Sequence, residues 1–91
     1  MHKMKFLLAE IAVHDGNYED AAALYDEAIR IAGEHRFIRE QALASERCGM
    51  FYSSKMSNAP TAAAYFTQAA EAYIKWGTKR KAAELLQMLT T

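Results

Sequence analysis

Three observations in this 91-residue sequence predict an all-α fold of stacked antiparallel helical hairpins. Its aliphatic residues are 18 Ala and 7 Leu against 1 Val and 5 Ile, a bias toward residues that lose little on entering a helix and away from those that favour strands. Its 4 Gly and 1 Pro are dispersed as punctuation instead of being gathered into a linker. The chain also repeats itself: Ala21-x3-Tyr25-x2-Ala28 recurs as Ala62-x3-Phe66-x2-Ala69, and ahead of these segments Leu8-Ala9 matches Cys48-Gly49 and Ala12 matches Tyr52. A period near 40 residues is that of stacked helix pairs.

The first helix is expected from about Lys3 to His14, with Met4, Leu7, Leu8 and Ile11 at the spacing of one helical face. Asp15-Gly16-Asn17 supplies a turn, since Gly and Asn tolerate the positive φ that ends a helix. A second helix follows over about Tyr18 to Glu34, with Ala21, Leu24, Tyr25, Ala28, Ile29 and Ala32 on one stripe and Gly33 at its close. The third covers about Ile38 to Lys55 and carries Ala42, Leu43, Cys48, Phe51 and Tyr52. Ser57-Asn58-Ala59-Pro60 stops it and starts a fourth, with Asn58 as cap and Pro60 in the first turn. Gly77 ends that helix behind Trp76, whose ring is expected between the fourth and fifth helices. Thr78 caps the fifth, with Ala82, Leu85, Leu86 and Leu89 as its apolar stripe. The result is one domain over 1–91: hairpin 1 over about 3–35, hairpin 2 over about 38–76, and a terminal helix over about 78–90.

Small residues at these spacings let two helices approach to the short end of the roughly 8–10 Å interaxial range. Gly49 interrupts no periodicity, so its cost of about 1 kcal/mol against Ala in a helix points to a close crossing there.

These residues resemble a family. Leu8-Ala9, Gly16-Asn17-Tyr18, Ala21, Tyr25 and Ala28 look like a tetratricopeptide repeat, with departures at Ala12, usually aromatic, and Gly33, often Pro. The second hairpin keeps Gly49, Tyr52, Ala62, Phe66 and Ala69 in a longer repeat. A narrower resemblance covers nearly the whole chain through Leu24–Ile29, Phe37–Glu46, Phe51-Tyr52 and Tyr73–Gly77. These segments are similar to the helical segment that follows the ATPase module of large signalling proteins, which combine a serine/threonine-kinase-like domain, an ATPase, a GAF sensor and a histidine kinase. The resemblance implies an excised piece or free-standing relative of such a protein, and any kinase or ATPase activity would lie in parent domains.

Chemistry-bearing motifs are sparse. No Gly-rich phosphate loop, HExxH, calcium loop or serine elbow occurs, so no catalysis and no cofactor is expected. His2, His14 and His35 form no i, i+4 pair for a metal, and one Cys excludes an internal disulfide. A catalytic reading would have to run through His14, beside Asp15, or through Cys48, which sits among apolar neighbours. Equal numbers of acidic and basic residues, 11 each, argue against gripping a phosphate backbone, and Lys75, Lys79, Arg80 and Lys81 read as a solvated helix end. No apolar run of about 18 residues exists to span a membrane, and Met1–Glu10 lacks a secretory pattern, so a cytoplasmic location is expected. Charge is nonetheless uneven: residues 10–34 hold seven acids against Arg30, and residues 75–91 hold four bases against Glu84.

What remains is protein–protein interaction. Stacked hairpins present a concave surface lined by the first helix of each pair. The tetratricopeptide frame places Lys3, Phe6, Glu10, Val13 and His14 there from the first helix, and Leu43, Glu46, Met50, Ser53 and Ser54 from the third. Phe6 and Glu10 stand where a peptide-carboxylate clamp would need basic or amide groups. The expected partner is a protein, a peptide or the flanking domains of a parent signalling protein. The alternative is a stand-alone domain that self-associates through its end helices.

Overall fold

A computed structural model describes the backbone over residues 2–90 and the side chains over 5–87; the expectations placed on the side chains of His2, Lys3, Met4 and Leu89 lie outside the described residues. Five helices follow one another: α1 (His2–His14), α2 (Tyr18–Glu34), α3 (Ile38–Ser54), α4 (Ala59–Trp76) and α5 (Lys79–Thr90). They form a slab with extents of 33 × 32 × 15 Å. Each helix packs antiparallel on the next, and α3 also touches α1. The architecture is therefore all-α, two hairpins stacked side by side with a fifth helix laid on the second.

The turns use the residues that the sequence offers. Gly16 takes φ +78° after α1. At the start of α4, the Asn58 side-chain oxygen accepts from the Thr61 N–H at 3.3 Å, and Pro60 occupies the first turn, where a missing N–H costs nothing. Gly77 adopts φ +106°, and its N–H and that of Thr78 bond back to the Tyr73 carbonyl at 3.0 and 2.9 Å. This left-handed closure satisfies carbonyls that α4 would otherwise leave unpaired.

Gly33 lies in the last turn of α2, where the sequence places the close of that helix. The helix runs through it to Glu34, and the positive φ of that turn falls on Arg36 at +58°. A Cβ on Gly33 would lie 3.1 Å from the amide end of the Gln41 side chain.

Two apolar clusters share α3 as a common wall. One gathers Ala9, Ala12, Ala21, Tyr25, Cys48 and Phe51 from α1, α2 and α3. The other gathers Ala42, Ala62, Phe66, Ala69, Ala70, Ala72, Tyr73, Ala82 and Leu85 from α3, α4 and α5. The Ala-x3-aromatic-x2-Ala pattern thus describes the buried seam of each hairpin. Gly49 is explained by its surroundings: the Phe66 ring lies against it, and a Cβ there would meet two ring carbons at 2.9 Å.

The apolar face expected of α1 is corrected. Leu7, Leu8 and Ile11 are 60, 41 and 48% exposed, while Ala9 and Ala12 face α2. The seam admits only small residues at this crossing, so the leucines are displaced to the outside. In α5, Ala82 and Leu85 are buried, and Leu86 points outward.

Ser45, on α3, is 1% exposed, and its hydroxyl has no hydrogen-bond partner. An unsatisfied buried hydroxyl is unfavourable, and Ala fills nearly the same volume with better helix propensity. Ser45→Ala is expected to stabilise the fold by about 1 kcal/mol. The check is a higher urea midpoint at an unchanged slope.

Candidate binding groove

Two adjoining cavities open along one face of the slab. The first, of about 370 Å³, is lined by Phe6 and Leu7 of α1, Ala28 of α2, and Arg39, Glu40, Leu43 and Ala44 of α3. The second, of about 320 Å³, is lined by Arg39 and Leu43 again, with Tyr73 and Trp76 of α4, Thr78 of the turn, and Lys81 of α5. Arg39 and Leu43 lie four residues apart on α3, which puts them on one helical face and makes them the ridge between the two cavities. Together they form one groove, apolar at the α1 end and aromatic and cationic at the α5 end.

Of the ten residues expected on the concave face, Phe6 and Leu43 meet in the first cavity. Among the described side chains, the others line neither cavity. Val13 packs against the first core cluster. His14 is exposed, with its Nδ1 3.5 Å from the Asp15 carboxylate. Met50, Ser53 and Ser54 are exposed on α3, and the Ser54 hydroxyl donates to the Met50 carbonyl at 2.7 Å. Lys3 lies outside the described side chains.

Glu10 and Glu46 are engaged inside the fold. The Tyr25 hydroxyl of α2 donates to the Glu10 carboxylate of α1, which also accepts from Arg47 Nε of α3 at 2.7 Å. One hairpin further on, the Tyr73 hydroxyl of α4 donates to Glu46 of α3 at 2.7 Å, and Lys81 Nζ of α5 lies 3.2 Å from the same carboxylate. Each carboxylate therefore ties together three consecutive layers through a phenol and a cation. This use of Glu10 and Glu46 fixes the spacing of the helices that wall the groove.

Trp76 is also corrected. The residue is 51% exposed, its ring centroid 6.4 Å from that of Tyr73, with the Arg39 guanidinium carbon 5.8 Å from the indole centroid. It belongs to the groove wall. Arg39, Glu40, Thr78 and Lys81 were missed by the sequence reading, although Arg39 and Leu43 share the i, i+4 spacing of a common face.

Behind the groove, Tyr52 and Tyr65 stack with centroids 5.4 Å apart, and the Tyr65 hydroxyl donates to Asp26. Cys48 is fully buried beside them, and burial pushes its thiol up to about 12. A thiol so placed is a poor nucleophile at neutral pH. Among the described residues, no three His, Cys, Asp or Glu side chains gather as a metal site, and no helix is long and apolar enough to cross a membrane.

The tyrosines carry a pH consequence. Burial first, then a hydrogen bond to a carboxylate, pushes Tyr25, Tyr65 and Tyr73 above the ordinary phenol range, and burial alone leads the rise at Tyr52. Their stabilising contribution is complete below the unfolded-state value of about 10 and is lost as pH climbs toward the raised folded values. The same sign applies to Cys48, starting from about 8.5 in the unfolded chain. Cooperative alkaline unfolding is expected, with tyrosinate absorbance and loss of helical circular dichroism rising together. Tyrosines titrating fully while the helices persist would contradict it.

Compared with protein-family models, with curated proteins and with solved structures, the chain gives no significant match.

Proposed function

We propose that this chain is a non-catalytic protein–protein interaction or scaffold module that receives a protein or peptide segment in its groove. The observation that carries this reading is the pair of cavities joined at Arg39 and Leu43, walled by rigid helices and lined by the exposed apolar side chains Leu7, Leu43 and Trp76. Apolar anchors in a preformed concavity suit recognition by surface complementarity. The setting we propose is cytoplasmic, beside a signal-transduction ATPase or histidine kinase. It rests on the resemblance carried by Phe37–Glu46 and Tyr73–Gly77, segments that include Arg39, Leu43 and Trp76.

Selection of displayed random peptides on the immobilised chain tests the groove. Peptides that enrich are expected to weaken by about tenfold or more, about 1.4 kcal/mol, against Leu43→Glu. Leu43 is 41% exposed, so that substitution leaves the core intact. Enriched peptides indifferent to it would remove the groove from the account.

Leu8 and Ile11, exposed on the outer side of α1, favour self-association as a second reading. Sedimentation distinguishes it: a mass that grows with concentration and reverts in Leu8→Glu supports it, whereas a concentration-independent monomer rules it out.

A further inference from the structure

We propose that the α5 end of the groove is a carboxylate subsite, so that the segment bound there carries an acidic side chain close to the aliphatic one seated between Phe6 and Leu43. The inference rests on the groove reading and deepens it. Its basis is the charge of the second cavity. Arg39 and Lys81 are the charged side chains that line it, and both are cations. Among the described residues, Arg39 forms no ion pair with any carboxylate. Its guanidinium instead lies over the half-exposed Trp76 ring, 5.8 Å from the centroid. This cation–π contact leaves the guanidinium N–H groups to a ligand, and a guanidinium fork suits bidentate contact with a carboxylate.

Lys81 is already 3.2 Å from Glu46, which offsets most of its charge, so Arg39 carries the subsite and is the direct contact. Thr78 brings the amino end of α5 to the same cavity, beside the carboxyl end of α4 at Tyr73 and Trp76. The two helix dipoles offset each other there, so the sign of the cavity is set by Arg39. Glu40 lines only the first cavity. The one acidic side chain among the described residues of the groove therefore stays out of the second cavity, and a basic ligand group is repelled from the Trp76 end by Arg39.

Trp76 is the single Trp of the chain, so its emission reports on this subsite directly. The probes are acetylated and amidated peptides in which one Leu and one Glu are separated by zero to three Ala, with Gln and Lys versions of each. At one spacing, the Glu peptide is expected to give a saturable change and to bind about tenfold more tightly than its Gln version, with the Lys version weaker still. Added salt is expected to erode that preference, and Arg39→Gln to abolish it while leaving far-ultraviolet circular dichroism unchanged. Equal binding of Glu and Gln peptides, or a preference that survives Arg39→Gln, would overturn the subsite. So would silence from every Glu peptide; if displayed peptides still bind in a Leu43-dependent way, the groove stands and only the carboxylate inference falls.

Discussion

Gly49→Ala is expected to destabilise the protein in the native background and to stabilise it once Phe66 is truncated. Two effects of opposite sign meet at this position. Replacing a mid-helix Gly by Ala is worth about 1 kcal/mol in helix propensity. Against that, the new Cβ would sit 2.9 Å from Phe66 Cδ1 and Cε1, atoms of a rigid ring held in the core of α3, α4 and α5. Overpacking of this kind costs about 1–3 kcal/mol, so the clash outweighs the propensity and Gly49→Ala loses stability. Phe66→Ala alone removes the ring that fills the space Gly49 leaves open, and is expected to cost about 3–5 kcal/mol. That is a large share of the roughly 5–15 kcal/mol by which a domain is stable. In the Phe66→Ala background, Gly49→Ala has nothing to strike and recovers about 1 kcal/mol. A double-mutant cycle by urea unfolding reads this reversal of sign. A Gly49→Ala variant more stable than the native chain would mean that the α3–α4 crossing is looser than described.

The second large effect is expected from Glu10. Its carboxylate accepts from the buried Tyr25 hydroxyl and from the half-exposed Arg47 guanidinium, and these bonds are unequal in worth. An exposed ion pair contributes about 0–1 kcal/mol, whereas a buried donor left without an acceptor costs about 1–3 kcal/mol. Glu10→Ala is therefore expected to destabilise by about 2 kcal/mol, well beyond Arg47→Ala. Adding Tyr25→Phe to Glu10→Ala removes the stranded hydroxyl and should restore much of the loss, since deleting both partners of a buried hydrogen bond is nearly neutral. Equal costs for Glu10→Ala and Arg47→Ala would show that the ion pair, and not the phenol, holds α1 to α2.

Much of the fold was legible because its determinants are local. The small-aromatic-small spacing around Tyr25 and Phe66 marks the buried seam, Asn58 and Pro60 mark a helix start, and Gly77 marks a helix end. Gly49 was readable as a close crossing because a mid-helix Gly is unfavourable unless something fills the space of its missing side chain. What failed was the assignment of faces in α1. Its apolar residues surround the helix, so periodicity could not choose between Leu7, Leu8 and Ile11 on one side and Ala9 and Ala12 on the other. The choice is made by the narrowness of the seam.

The groove was only partly legible, for the same reason. Phe6 and Leu43 fall on a helical face that spacing can identify, but the positions of Glu10 and Glu46 depend on partners far along the chain. Tyr25 is 15 residues from Glu10, Arg47 is 37, and Tyr73 is 27 from Glu46. No local pattern encodes such pairings. Trp76 read as a core residue from its type, since an aromatic ring ahead of a helix-ending Gly is a natural plug. The turn at Gly77 instead leaves it beside Arg39, in the wall of the second cavity.

A bound segment is expected to lie along the face made by α1, α3 and the α4–α5 turn. Amide and indole chemical-shift mapping of the isotope-labelled chain, saturated with a peptide enriched by display, tests it most directly. The expected shifts centre on Phe6, Arg39, Leu43, Thr78 and the Trp76 indole, and spare Leu8 and Ile11. Shifts gathered on Leu8 and Ile11, with Arg39 and Trp76 unmoved, would contradict the groove and place binding on the outer side of α1.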